Sequence, residues 1–194
     1  MKFEYSRISD SLFRQEYSLP RLQEYVEMAI YSAIAFSLPF LLGHEQLLVG
    51  AAVNCALVLA ALNLRGARLL PVIILPSLGA LLAGLVFGAA SSALFYMIPF
   101  IWAGNTLLVI CIKYFVLDKK TNRVAALSIG AAAKAAFLFL AALALLSFGM
   151  VPAVFLTAMG VFQLATALSG GAAALALQEV KRRASAFSEV AEGN

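Results

Sequence analysis

The sequence predicts an all-α integral membrane protein, a six-transmembrane-helix bundle with both termini in the cytoplasm. Three observations predict it. Of 194 residues, 63% are hydrophobic and only 12% charged, more apolar surface than a soluble exterior tolerates. The apolar residues come in long runs, with no charge from Leu69 to Ile112, and such runs of about 18 or more read as membrane spans. The basic residues are confined to alternate loops.

Residues 1–24 form a polar cytoplasmic arm carrying Lys2, Arg7, Arg14 and Arg21. It lacks the apolar core and cleavage site of a signal peptide, so the first apolar stretch is expected to stay as a span. Tyr5, Ile8 and Leu12 recur at helical spacing, which suits an arm lying on the inner membrane surface; its length and polarity suit a disordered arm equally. The membrane domain, 25–182, follows. "SLPRLQEY" opens a span over 25–42, with Ser18 placed to cap it and Pro20 in its first turn. "GHEQ" turns into 46–63, "NLRGAR" leads to 69–88 and "GAASS" to 92–115. "LDKKTNR" leads to 124–147 and "SFGMVP" to 151–179. Residues 183–194 are a polar cytoplasmic tail.

Charge orients the bundle. The arm, the second-to-third loop (Arg65, Arg68), the fourth-to-fifth loop (Lys113, Lys119, Lys120, Arg123) and the segment after the last span (Lys181, Arg182, Arg183) hold the basic residues, and the other three loops have none. The positive-inside rule puts both termini in the cytoplasm. Only Lys134 of fourteen basic residues falls outside this partition.

Several chemistries are excluded by what the chain lacks. There is no phosphate-binding G-x-x-x-x-G-K-[ST] loop, and His44 is the only histidine. No Asp or Glu falls in the interior of a span, Glu27 lying at the edge of the first and Glu179 at the end of the last. Intramembrane hydrolysis needs bases or metal ligands that cannot be assembled here, so no catalytic residue, metal or cofactor is assigned. Cys55 and Cys111 lie at different depths and are read as packing residues.

Four polar side chains mark the interior: Asn54, Asn105, Lys134 and Gln163, on four different spans. At about 1.5 Å per residue they all fall in the middle third of a hydrocarbon core roughly 30 Å thick. A lysine there costs about 2.5–3.5 kcal/mol on insertion scales, and its stem is too short to snorkel out. Two readings stand: a structural lysine held by Asn105, Gln163 and free carbonyls, or a ligand contact at the floor of a cavity. In the second, Trp102 and Met159 lie one turn outward of Asn105 and Gln163 and would wall an outward-facing pocket, with Phe95 and Tyr96 above. Trp102 equally suits bundle packing, and the other two aromatics an interfacial belt. His44 and Glu45, in the first outer turn, are further candidates, although a polar turn needs such residues anyway. Pro76 and Pro99 are expected to kink their helices and free carbonyls. Ala29 and Ala33 make A-x-x-x-A, Gly84 and Gly88 make G-x-x-x-G, and Gly160, Ala167, Gly170 and Ala174 line the last span. Such residues let helices approach closely.

These features together resemble the substrate-binding S-components of energy-coupling-factor (ECF) transporters of bacteria and archaea. The resemblance runs from about Leu22 to Arg183 and rests on size, six spans, both ends inside, short outer turns and Ala29-Ile-Tyr-Ser-Ala33. "IPFIWAGNTLLVICIKYF" and "GAAAKAAFLFL" also look like the fourth and fifth helices of such proteins. It implies a multi-pass protein of the bacterial or archaeal cell (inner) membrane that captures a vitamin-like solute from outside. Transport is then driven by a transmembrane T-component, docked on Ala29 and Ala33, and by partner ATPases. The chain lacks the histidine-rich N-terminus of metal-type members and has no signature for a particular vitamin. The rival readings are a non-transporting subunit or scaffold of a larger membrane complex and, more remotely, a membrane enzyme.

Overall fold

The computed structural model describes residues 10–42, 45–84 and 91–192. Among them are no strands and six helical segments long and apolar enough to cross a membrane. In chain order they are α1 (Arg21–Leu42), α2 (Gln46–Asn63), α3 (Leu69–Ala83), α4 (Ser91–Ile112), α5 (Arg123–Ser147) and a last span in two pieces, α6 (Val154–Met159) and α7 (Val161–Glu192). A π-helical stretch, Lys113–Asp118, extends α4.

The helices pack as a ring in the order α1, α3, α4, α5, α7, α2, with α2 drawn inward to touch α3 and α4 as well. Small residues make this possible, because helices in lipid associate through close packing rather than through a hydrophobic gradient. A Cβ on Gly170 would sit 2.0 Å from the Ala51 carbonyl oxygen of α2, and one on Gly171 would sit 2.2 Å from Leu127 of α5. These adjacent glycines thus let α7 lie against two helices at once. Gly79 does the same between α3 and the Phe36 carbonyl of α1. Ala167 and Ala174, on the same face of α7 as Gly170, are fully buried.

Several expectations are revised. The described part of the third span ends at Ala83, with Gly84 left-handed at its cap; Gly88, the second half of the G-x-x-x-G, lies outside the described residues. The last span is broken at Gly160, and its helix continues to Glu192 through the residues expected to form the tail. Helix α1 begins after Pro20, with Glu24 N–H bonded to the Pro20 carbonyl, so Ser18 is not its cap.

The N-terminal arm, from Asp10 onward, neither lies apart nor floats. Gln15 Nε2 donates to Glu24 Oε1 at 2.8 Å and to the Asn63 carbonyl at 2.6 Å. Glu16 takes Arg123 and, at 3.0 Å, Gln178 Nε2. Lys113, assigned from sequence to a loop, is fully buried and donates to the carbonyls of Arg14 (2.6 Å) and Leu64 (2.8 Å). The physical reason is the end of α2, whose last carbonyls have no helical partner and need donors. Tyr5 and Ile8 lie outside the described residues.

Nearby, the Asn63 and Gln178 amides exchange hydrogen bonds, Asn63 also donates to the Tyr31 hydroxyl, and Tyr31 donates to Glu27, which pairs with Lys181. Buried Glu24 is met by Arg68 at 2.8 Å and Arg65 at 3.5 Å. This "basic end" of the bundle is cross-linked by charge, whereas among the described residues no ion pair lies at the opposite end.

The glycine contacts predict that Gly170→Ala lowers stability by at least about 1–3 kcal/mol, the range for overpacking, because its Cβ meets backbone. Gly104→Ala meets only the Leu138 side chain, at 3.0 Å, and should cost clearly less. Unfolding midpoints of the two variants in one detergent check the order.

Candidate functional site

Lys134 lies in the middle of α5, 2% exposed. Its ammonium donates to Asn54 Oδ1 of α2 at 2.7 Å. Asn54 is itself fixed: Nδ2 donates to the Gly50 carbonyl at 2.9 Å and to Thr166 Oγ1 of α7 at 3.2 Å, and that hydroxyl donates to the Gln163 carbonyl at 3.3 Å. A chain of polar groups thus links α5, α2 and α7. Asn54 Oδ1 is the ammonium's one hydrogen-bond partner among the described residues, and Lys134 makes no ion pair there. An ammonium has three donors, so two N–H bonds have no acceptor among the described residues.

A cavity of about 90 Å³ lies against this chain. Lys134, Asn54, Asn105, Gln163, Thr166 and Ser77 give it a polar side, and Met159, Leu94, Ile101, Phe162 and Val53 an apolar one. Gln46 and Val49, in the first turn of α2, also line it, so it extends from mid-helix toward the end opposite the charged network. Its volume is below the roughly 300–1,000 Å³ of pockets that enclose drug-sized ligands. Gln163 Oε1 is buried with no partner among the described residues.

The expected polar layer is therefore one neighbourhood, but its wiring differs from expectation. Lys134 is held by Asn54, not by Asn105 and Gln163. Asn105 instead donates from Nδ2 to the Ile73 carbonyl of α3 at 3.0 Å, close to Pro76. A proline removes a helical N–H and pushes away the preceding turn, which leaves carbonyls there open to an outside donor.

Trp102 is not among the residues that line the cavity and takes the packing alternative. Its Nε1 donates at 2.8 Å to Ser77 Oγ, which donates to the Ile74 carbonyl at 2.9 Å. Trp102 and Asn105, one turn apart on α4, thus pin α4 to the kinked part of α3. An indole N–H in an apolar bundle must find an acceptor, and the Ser77 hydroxyl is in reach. Met159, 1% exposed, lines the cavity. Phe95 and Tyr96 are exposed and pack edge-to-face, 6.0 Å between centroids, away from it. Glu45 precedes α2, exposed and without a side-chain cap bond, and is not part of the cavity wall. His44 lies outside the described residues. Ala29 and Ala33 are exposed on α1, among exposed Leu22, Tyr25, Val26 and Ile30, remote from the cavity wall.

Sequence reasoning missed Thr166, Ser77 and Lys113. Thr166 follows Gln163 by three residues, on one helix face with Ala167, Gly170 and Ala174, so the small-residue stripe was its signal. Lys113 continues the buried series Asn105, Leu108, Val109, Ile112, Val116, a helical spacing that marks it as interior despite its charge. Among the described residues no group of three or more His, Cys, Asp or Glu is placed to hold a metal. No family model, curated protein or solved structure matches this chain.

Truncating one partner of a buried charged hydrogen bond leaves the other unsatisfied, whereas removing both is nearly neutral. Asn54→Leu should therefore destabilise by about 2–3 kcal/mol, and Asn54→Leu with Lys134→Met should recover most of that loss. A double-mutant cycle read by denaturant unfolding in micelles measures the coupling.

Proposed function

We propose that this protein is the substrate-binding membrane subunit of an ECF-type uptake transporter, taking up a small organic solute that carries a carboxylate or phosphate. The observation that carries the reading is an ammonium buried at mid-span, beside a cavity, with two donors unused and no carboxylate paired to it among the described residues. A structural lysine is expected to spend its donors on the protein, because an unsatisfied buried charge is costly. An anionic group entering the cavity offsets that cost through charge-assisted bonds. The cavity volume supports a very small solute, or the charged end of a larger one seated when the bundle opens.

In this reading Lys134 holds the anion, Asn54 and Thr166 orient Lys134, Gln163 accepts a ligand donor, and Met159 packs against the apolar part. Asn105 and Trp102 act indirectly, by fixing α4 on α3. The basic end faces the cytoplasm by the positive-inside rule, so the cavity faces outward. The exposed alanines of α1, Ala29 and Ala33, offer a close-approach surface for a T-component, and energy comes from the partner ATPases. A second reading, a non-transporting subunit of a larger complex, is favoured by the internal bond from Lys134 to Asn54 and the small volume of the cavity.

The two readings diverge at one substitution. Lys134→Met is expected to abolish solute accumulation in cells while the subunit still co-purifies with its T-component and ATPases. Normal accumulation, or loss of assembly in place of binding, would sink the transporter reading. Mass spectrometry of small molecules released from the wild-type protein should find an anionic compound that the variant lacks.

A further inference from the structure

The turn after α4 carries a conformational expense that packing does not explain. Helix α3 ends at Gly84 (φ +62°) and α5 at Gly149 (φ +69°), the residue type that enters the left-handed region without a Cβ penalty. The helix formed by α4 and its π extension ends the same way: Thr121 N–H returns to the Phe115 carbonyl at 2.8 Å, across a left-handed residue at φ +52°. Here, however, that residue is Lys120, the one non-glycine with positive φ among the described residues. Lysine has no local hydrogen bond with which to compensate, so the position is strained.

Lys120 borders a groove of about 650 Å³ between the arm and the α4–α5 turn, lined by Arg14, Glu16, Lys120, Thr121 and Arg123 over a floor of Val116 and Leu117. Arg14 is paired with Asp118 at 3.1 Å and Arg123 with Glu16. The neighbouring Lys119 lies over the Tyr114 ring, 5.5 Å from its centroid. Lys120 is exposed and makes no ion pair or hydrogen bond among the described residues. Each guanidinium keeps further N–H donors beyond its carboxylate, and Thr121 adds a hydroxyl. The groove therefore combines one unpaired cation, spare donors and an apolar floor at the point where two spans end, which is the depth of phospholipid headgroups.

We propose that this groove binds the phosphate of an anionic phospholipid, Lys120 supplying the charge and the Val116–Leu117 floor meeting the start of an acyl chain. Basic pockets between spans on the cytoplasmic side suit such headgroups, and each lysine near an anionic surface contributes to the attraction. A soluble anion would make no use of the floor. The site is independent of the cavity at Lys134 and of the transporter reading.

Full-length protein in mixed micelles, titrated with phosphatidylglycerol or phosphatidylcholine and read by native mass spectrometry, tests it. Wild type should retain phosphatidylglycerol preferentially. Lys120→Gly should weaken that retention about fivefold, the share of a single lysine near an anionic surface, while its unfolding midpoint stays level or rises as the strain is relieved. Lys120→Arg should retain the lipid. Equal retention of both lipids by the wild type, or unchanged retention by Lys120→Gly, overturns the proposal and leaves the groove to a protein partner. Displacement of the lipid by inorganic phosphate assigns the site to a soluble anion and overturns the lipid. A lowered midpoint for Lys120→Gly makes the lysine a brace of the turn, which also overturns it.

Discussion

The arrangement of the bundle's interior depends on the need to satisfy one ammonium in a space without carboxylates. Lys134 cannot reach either surface, so α2 must bring Asn54 to it, and α7 must bring Thr166 to Asn54. The contact demands close helices, because a side-chain amide has only a short reach. Gly50 supplies the carbonyl for Asn54 and, lacking a Cβ, makes room for Thr166, whose methyl would lie 2.9 Å from one. Gly170, one turn beyond Thr166, brings α7 against the backbone of α2. The small-residue stripe and the polar chain are thus two aspects of one constraint. Helices must touch for the lysine to be held, and the lysine limits which faces touch.

The two ends of the bundle differ in how they are held. At the basic end, the arm, the α2–α3 turn, α5 and the last helix are tied by Glu16, Glu24, Asn63, Lys113 and Gln178 into a network that satisfies helix ends and buried charges together. Toward the other end the contacts are mostly apolar, and space remains beside Lys134. The Trp102–Ser77 and Asn105–Ile73 bonds fix one wall of that space, α4 against α3. Among the described residues the ion pairs lie at the basic end, so they do not tie the helices together beside the cavity. The exposed alanines of α1 lie on the helix with the least buried span among the described residues.

Much of the fold was legible because its signals are local. Span limits followed from apolar runs and from charges that end them, and α5 was placed almost to the residue, 124–147 expected and Arg123–Ser147 found. The break at Gly160 was not legible, since a glycine in an apolar run fits a continuous helix as well as a bent one. The burial of Lys113 was legible only as a helical position in the series of Leu108, Val109, Ile112 and Val116; its partners were not, because the open carbonyls that draw it inward belong to a loop and an arm distant in sequence. Depth along each helix correctly grouped Asn54, Asn105, Lys134 and Gln163 around one cavity. It did not give their partners, because depth is set by counting along one helix and bonding by the rotation of several.

What the sequence alone determined is composition-driven: a helical membrane chain, six segments able to span, and one lysine too deep to escape. These follow from the cost of placing backbone and charge in hydrocarbon, which each segment meets by itself. Only the tertiary structure decided that Asn54 rather than Asn105 holds that lysine, that Trp102 pins two helices instead of lining the cavity, and that the arm belongs to the core of the basic end. A hydrogen bond requires two groups within about 3 Å and in line. Between helices, that geometry is fixed by how closely and at what rotation they pack, which no single segment encodes.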